Sequence, residues 1–340
     1  MESKRNVKKG IRLDEGRRRR EATCISVRKD KKEEGLAKRR NFGSTAEPIV
    51  PEASSDEKQP LPSSLPKSVS DLPTLVRFLD SADAREQVDA LRQFRRLLST
   101  EKNPPVQAVI DCGAVPHIVS FLRRNENSEL QFEAAWALTN IASTAFTSIV
   151  VTNGAIPLLT ALLNSHHPDL REQCAWCLGN VAGDGPALRD VVLKHNALDP
   201  LLMNISHPAS LPLLRNCVWA LSNFCRGKPL PEMSVVAPAL PVLAAILHQN
   251  ADVEAMVDAT WSLSYLSDGD DSRIAAVVNL NVIPVLVQML TSTRVGGIIP
   301  ALRCLGNIVS GNDTQTQAVV DGGVLQVLGT IFLENNGVAF

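Results

Sequence analysis

Trp136-Ala137-Leu138-Thr139-Asn140 decides the fold, because the same arrangement returns along the chain. It comes back as Trp176-Cys177-Leu178-Gly179-Asn180, Trp219-Ala220-Leu221-Ser222-Asn223, Trp261-Ser262-Leu263-Ser264-Tyr265 and Arg303-Cys304-Leu305-Gly306-Asn307, at steps of 40, 43, 42 and 42 residues. A period near forty marks a stack of helical repeats, in which each unit buries its apolar face only against its neighbours.

On a helix turning about 100° per residue, Leu130, Ala134, Leu138 and Ile141 form one stripe. Leu170, Cys174, Leu178 and Val181 do so in the next copy, and Leu213, Cys217, Leu221 and Phe224 in the third. Those stripes are the expected core. The Trp and Asn of each copy point away from it and, being four residues apart, form one patch per helix. Two readings meet here. Solenoid helices contact neighbours on several sides, so the Trp can fill a second buried face. An Asn amide buried there, however, needs partners for up to four hydrogen bonds and each indole N–H needs one. The recurrence of this polar pair favours a ladder on an open groove. Such a ladder suits an extended peptide, with Asn amides on its backbone and Trp faces against the stems and charges of lysine or arginine.

At 340 residues and 44% apolar content there is material for a large core, and 4% aromatic suits close packing of small-residue helices. The net charge of −1 hides an asymmetry. Residues 1–42 hold 16 basic and 7 acidic side chains, net +9, and the 19 basic and 29 acidic residues that follow give −10. Opposite signs on one chain suggest self-docking, or a basic arm handed to a partner. The arm's clusters are Lys4-Arg5, Lys8-Lys9, Arg17-Arg18-Arg19-Arg20, Arg28-Lys29, Lys31-Lys32 and Lys38-Arg39-Arg40. Phe42 is its one aromatic residue, which argues against nucleic-acid binding by base stacking. Interleaved Glu and Asp fit a segment that turns helical on an acidic protein partner. Residues 43–70, with Pro48, Pro51, Pro60, Pro62 and Pro66, read as a flexible linker.

From about Asp71 the pattern is helical to the end. Pro116, Pro157, Pro200, Pro241 and Pro284 suit the first turn of each unit's middle helix. Ser128 with Gln131 resembles a capping box, Pro168 suits a first turn, and Gly183, Gly227, Gly269 and Gly311 close the Trp helices. A first unit over about 71–112 carries Phe94 and Leu98 in the Trp and Asn registers and is expected to cap the stack. Units follow at about 113–153, 154–195, 196–238, 239–280 and 281–321, with another begun at Gly322.

No signal peptide or run of about 18 apolar residues is present, so the expectation is a soluble intracellular protein with no membrane partner. Seven cysteines without secretory context read as reduced thiols, and Cys174-Ala175-Trp176-Cys177 is a lone CxxC inside a helix. No GxSxG, P-loop or HExxH occurs, and His117, His166, His167, His195, His207 and His248 fall mostly in loops or helix ends. Enzymatic chemistry, cofactors and metals are not expected.

With these residues in view, the chain resembles importin alpha, the armadillo-repeat adaptor of nuclear import. The marks are Trp136-Ala-Leu-Thr-Asn140-Ile-Ala-Ser143, Gly179-Asn180-Val-Ala-Gly183-Asp184-Gly185, Trp261-Ser-Leu-Ser-Tyr265-Leu-Ser-Asp268-Gly269 and Leu302-Arg303-Cys-Leu-Gly-Asn307. The resemblance implies an all-α, right-handed armadillo-repeat superhelix of about six repeats, preceded by a basic, conditionally helical amino-terminal segment. It implies a groove for lysine-rich nuclear localisation signals lined by Trp136, Asn140, Ser143, Trp176, Asn180, Gly183, Asp184, Trp219, Asn223, Asp258, Trp261 and Tyr265. Asp184 would meet the key cargo lysine, with Asp258 a second acidic groove residue. Arg17, Arg18, Arg19, Arg20, Arg28, Lys29, Lys31 and Lys32 would bind importin beta. Lys38, Arg39 and Arg40 would occupy the groove until importin beta takes the arm, and the protein would shuttle between cytoplasm and nucleus.

The departures are specific. Thr144 stands where the family has Gly, and Ile149 where a Thr is expected near the cargo lysine, so a weakened lysine pocket is expected. Gly16 and Gly35 each cost the arm about 1 kcal/mol of helix relative to Ala. Further repeats with a second Trp/Asn ladder and the export-receptor surface are not in this sequence, so a bipartite signal is expected to gain little. Two alternatives stay open: a general armadillo scaffold, and a truncated regulatory form that binds importin beta or cargo without a full transport cycle.

Overall fold

A computed structural model describes residues 71–100, 103–291 and 295–335. The basic arm, the whole of the linker and the residues assigned there to importin beta or autoinhibition lie outside the described residues. Helices are the only regular structure among the described residues, and all belong to one compact unit. Of the second unit the described residues are Ser99, Thr100, Asn103, which is left-handed at φ 50°, and Pro104.

The helical unit opens on a pair, α1 (Leu72–Leu79) and α2 (Ala84–Leu98). Triplets of short, middle and long helix follow. They are α3 (Val106–Asp111), α4 (Ala114–Phe121) and α5 (Ser128–Ala142); then α6 (Thr147–Thr152), α7 (Ala155–Leu162) and α8 (Pro168–Gly183). Next come α9 (Pro186–Lys194), α10 (Leu198–Ser206) and α11 (Leu211–Phe224), then α12 (Met233–Val236), α13 (Ala239–Gln249) and α14 (Val253–Leu266). The last triplet is α15 (Asp271–Val278), α16 (Ile283–Leu290) and α17 (Val295–Ile308), after which α18 (Asp313–Asp321) and α19 (Val324–Asn335) begin another.

Each unit therefore starts with the short helix that follows a Trp helix, earlier than the boundaries expected at the Gly-x-x-Pro loops. Those loops are corners inside a unit. At them the chain turns through a left-handed residue: Gly113 (φ 76°), Gly154 (φ 75°), Asn196 (φ 57°), Asn281 (φ 57°) and Gly323 (φ 86°). Only Gly, or Asn with its short polar side chain, adopts that conformation at little cost. The five prolines fall in the first turn of α4, α7, α10, α13 and α16 as expected.

The long helices α2, α5, α8, α11, α14 and α17 pack one against the next and form a continuous layer. The expected stripes are its core: Leu130, Ala134, Leu138, Ile141, Cys174, Leu178, Val181, Leu213, Cys217, Leu221 and Phe224 are fully buried, and Leu170 almost so. Phe94 and Leu98 of α2 are buried too.

Polar side chains tie three of the long helices to the end of the middle helix before them or the loop that follows it. Gln87 Nε2 donates to the carbonyl oxygen of Leu79, Gln131 Nε2 to that of Leu122, and Arg171 Nη1 to that of Ser165. These satisfy carbonyls that a helix end leaves orphaned. Gln131 is thereby drawn away from the expected capping box. Asn127 is the N-cap of α5 instead, accepting from the N–H groups of Glu129 and Leu130.

Cys174 and Cys177 are buried on α8, and burial raises both thiols, Cys177 to about 12. That is opposite to the depressed thiolate of a redox CxxC. Cys217, Cys225 and Cys304 are likewise pushed up to about 12 by desolvation. We predict that iodoacetamide at pH 8 leaves these thiols unmodified in the native chain and alkylates them after urea unfolding. Because their folded pKa lies above the unfolded value near 9, their contribution to stability is complete below pH 9. It should fade as pH rises from 9 towards 12, visible as a falling urea midpoint.

Candidate functional site

The expected groove residues sit on consecutive long helices, but the ladder is more deeply set than an open-groove reading requires. Asn140, Asn180 and Asn223 are 8%, 1% and 6% exposed. Each bridges to the preceding long helix through Nδ2: Asn140 to the carbonyl oxygen of Arg95 (3.4 Å), Asn180 to that of Thr139 (3.2 Å), and Asn223 to that of Gly179 (3.0 Å). Asn307 repeats the pattern onto Ser264 (2.8 Å). One amide N–H of each Asn thus holds adjacent units together, and the two readings of the sequence are combined rather than exclusive. At Asn180 the Oδ1 atom is buried with no hydrogen-bond partner. A buried acceptor left so costs roughly 1–3 kcal/mol.

Trp136, Trp176 and Trp219 are half-buried. Phe132 meets Trp136 edge to face, with ring centroids 5.6 Å apart. Gly179 makes room for the third ring: a Cβ there would stand 2.5 Å from Trp219 Cζ3 and 3.0 Å from Ala220 Cβ. Gly183 is half-buried beside Asn223, whose Nδ2 would lie 3.1 Å from an added Cβ. Gly179→Ala is expected to cost about 1–3 kcal/mol by overpacking, partly offset by about 1 kcal/mol of helix propensity. A urea midpoint equal to the parent's would mean that Trp219 moves aside freely.

Asp184 caps the carboxyl end of α8 and is exposed. Its Oδ1 accepts from Thr147 Oγ1 at 3.2 Å. A threonine is expected beside this carboxylate at position 149, where Ile149 stands; the hydroxyl there is that of Thr147. The loop before α6, residues 143–146, is four residues long, as is the loop 267–270 before α15. The former loop brings Thr147, at the first position of α6, to the carboxylate. Counting forward from Ser143 to position 149 missed it. Thr147 has one hydroxyl proton and three acceptors in reach, the carbonyl oxygens of Ala142 and Thr144 as well as Asp184. Ser143 Oγ donates to the carbonyl oxygen of Asn140.

Trp261 and Tyr265 are not open groove surface. They are 6% and 5% exposed and stack on each other, centroids 5.9 Å apart and planes 25° apart. Arg303 from α17 covers Tyr265, its Cζ 4.8 Å from the ring centroid, with Nη2 3.1 Å from Asp268 Oδ2. Lys228 Nζ lies 3.6 Å from the same carboxylate.

Sequence reasoning also missed a second polar row, three residues before each Trp. Glu133, Gln173, Asn216 and Asp258 are all buried between long helices. Glu133 binds Arg92 and Arg95, Gln173 donates to Thr139 Oγ1 at 2.7 Å, and Asn216 donates to Glu172 Oε1 at 2.7 Å. Asp258, at 9% exposure, belongs to this row and is not a surface carboxylate. Its helical register alone could have signalled that.

Comparison with known proteins gives three kinds of match. The importin beta binding domain family matches residues 4–92, the armadillo/beta-catenin-like repeat matches 102–143, 185–226 and 270–310, and a HEAT-like repeat matches 128–181. Importin subunit alpha-1a of Oryza sativa subsp. japonica is 45% identical over 338 residues, covering 98% of this chain and 63% of the relative. Importin subunit alpha-2 of Arabidopsis thaliana is 47% identical over 292 residues, 85% of this chain and 54% of the relative. Importin subunit alpha-B of Dictyostelium discoideum is 44% identical over 321 residues, 91% and 59%. The chain therefore spans less than two thirds of these relatives. Among solved structures, an engineered protein from the Northeast Structural Genomics Consortium matches with TM-score 0.69 at 29% identity over 76% of this chain and 62% of its own. A designed armadillo repeat protein matches with TM-score 0.65 at 23% identity over 69% and 99%, a likeness of fold alone.

Proposed function

Because the chain belongs to the importin alpha family, we propose that it is a nuclear-import adaptor, not an enzyme, which holds lysine-rich signals of cargo proteins along its Trp/Asn ladder. The observation that carries this reading is Asp184, an exposed carboxylate at a helix carboxyl end beside Thr147, in a layer of consecutive long helices that carry half-buried Trp residues. A helix carboxyl end carries partial negative charge, so it reinforces the carboxylate as a cation site. The Trp rings take aliphatic stems and cationic heads.

The match of residues 4–92 to the importin beta binding domain supports importin beta as the second partner, through the basic clusters from Arg17 to Lys32. Movement between cytoplasm and nucleus follows from that pairing. Lys38-Arg39-Arg40 is proposed to compete with cargo from the same chain. A competitor on a flexible linker acts at roughly millimolar effective concentration, so even weak docking inhibits.

The test is a fluorescence-anisotropy titration of a labelled oligolysine peptide into the full chain. Micromolar or tighter binding is expected, weakened about tenfold by Trp176→Ala through loss of a desolvated cation–π and stem contact. Replacing Lys38, Arg39 and Arg40 together by Ala is expected to tighten it by roughly tenfold. A folded chain that ignores the peptide with and without the arm substitutions would reject the adaptor reading.

A further inference from the structure

Both ends of the aromatic row carry an arginine of the chain itself. At the amino-terminal end Arg95 of α2 lies over Trp136, its Cζ 4.2 Å from the ring centroid, and its Nε binds Glu133 Oε2. At the other end Arg303 of α17 lies over Tyr265 at 4.8 Å and binds Asp268. Each stands where a cargo cation would stand, with guanidinium on the ring and a carboxylate alongside. We propose that Arg95 and Arg303 are resident occupants of the two end positions of the ladder, so that they fix how many cargo cations are bound and in which register. This deepens the groove reading and rests on it.

The physical argument is competition. A resident side chain fills its ring without the translational and rotational cost that a peptide lysine pays. Displacing it would take one of two cationic partners from a largely buried carboxylate. The side chains of Glu133 and Asp268 are 5% and 8% exposed and would keep Arg92 and Lys228 respectively. A peptide lengthened by further lysines at either end therefore finds its next position already taken. The two stops are unequal. The Arg95 side chain is 9% exposed, whereas that of Arg303 is 16% exposed and its Nη1 is buried without an acceptor. An unsatisfied buried donor weakens the resident's hold. Arg303 is accordingly the easier stop to remove, and removing it would uncover Tyr265 beside Asp268.

The experiment uses the full chain and three labelled peptides in physiological salt: a short oligolysine, the same peptide extended by lysines at its amino end, and the same extended at its carboxyl end. The unsubstituted chain should bind all three within about twofold. Arg303→Met keeps an apolar stem and should tighten one extended peptide alone by roughly three- to tenfold. Arg95→Met should tighten the other alone. Dependence on one end is the readout that a change of net charge would not produce. The proposal is overturned if the unsubstituted chain already gains from extension at both ends. It is equally overturned if Arg303→Met, with an unchanged circular dichroism spectrum, treats the three peptides alike. If Arg95→Met unfolds, Arg95→Gln takes its place and the Arg303 result still decides. Failure of the short peptide to bind the unsubstituted chain rejects the groove reading itself, a separate outcome.

Discussion

Asp184→Lys is expected to weaken oligolysine binding by at least about a hundredfold while leaving the melting temperature within a few degrees of the parent. Asp184 is exposed, and among the described residues its side chain meets only the shared hydroxyl of Thr147, so little of the fold depends on it. Hydrogen bonds to charged groups contribute roughly 1.5–3 kcal/mol, and a like charge in the same place costs several more. Together these exceed the ~2.8 kcal/mol that a hundredfold change requires. The neutral Asp184→Asn should lose about tenfold, because it gives up the charge and keeps an acceptor. Thr147→Val should lose two- to fivefold, roughly one shared neutral hydrogen bond. Binding by Asp184→Lys within threefold of the parent would remove Asp184 from the site.

Glu133→Ala is expected to be the most destabilising single change, by about 3–5 kcal/mol, the cost typical of breaking a buried ion pair on one side. Glu133 lies between Arg92, at 3.3 Å, and Arg95, and its side chain is 5% exposed. Arg92 retains Asp89 and Glu129 as partners, so most of the penalty falls on Arg95. In a linear stack, loss at one interface loosens the neighbouring units first. Hydrogen exchange should therefore accelerate in α1 to α5 before α14 to α17. Urea unfolding reads the magnitude, and a loss below about 1 kcal/mol would mean that Arg95 finds another partner or reaches solvent. The same substitution should release Arg95 from Trp136, linking stability at this end to the peptide register.

The long helices were legible because each repeats a local pattern that depends on no other part of the chain. Leu130, Ala134, Leu138 and Ile141 define a core stripe by spacing alone, and the structure buries all of them. Pro116 and Pro157 marked first turns because a ring without an N–H belongs there. Capping was less legible at Ser128, where Asn127 competes for the same role and Leu122 offers Gln131 a carbonyl six residues back from Ser128. That contest is decided by the middle helix, which the local sequence does not contain.

By itself the sequence determined the period, the helical register and which residues leave the core stripe: Trp136, Asn140 and their copies. Helical geometry dictates those directions from spacing. Tertiary structure decided what each direction meets. Asn180 bridges to Thr139 because two long helices come within hydrogen-bonding distance across a unit boundary, 41 positions apart in the chain. Thr147 reaches Asp184 because α6 packs against α8, so the start of one helix meets the carboxyl end of the other, 37 positions away. Tyr265 is covered because Arg303, in the next unit, is long enough to fold over it and finds Asp268 to hold it there. A side chain's direction is a local property of its own helix; its exposure depends on what the neighbouring repeat places opposite it.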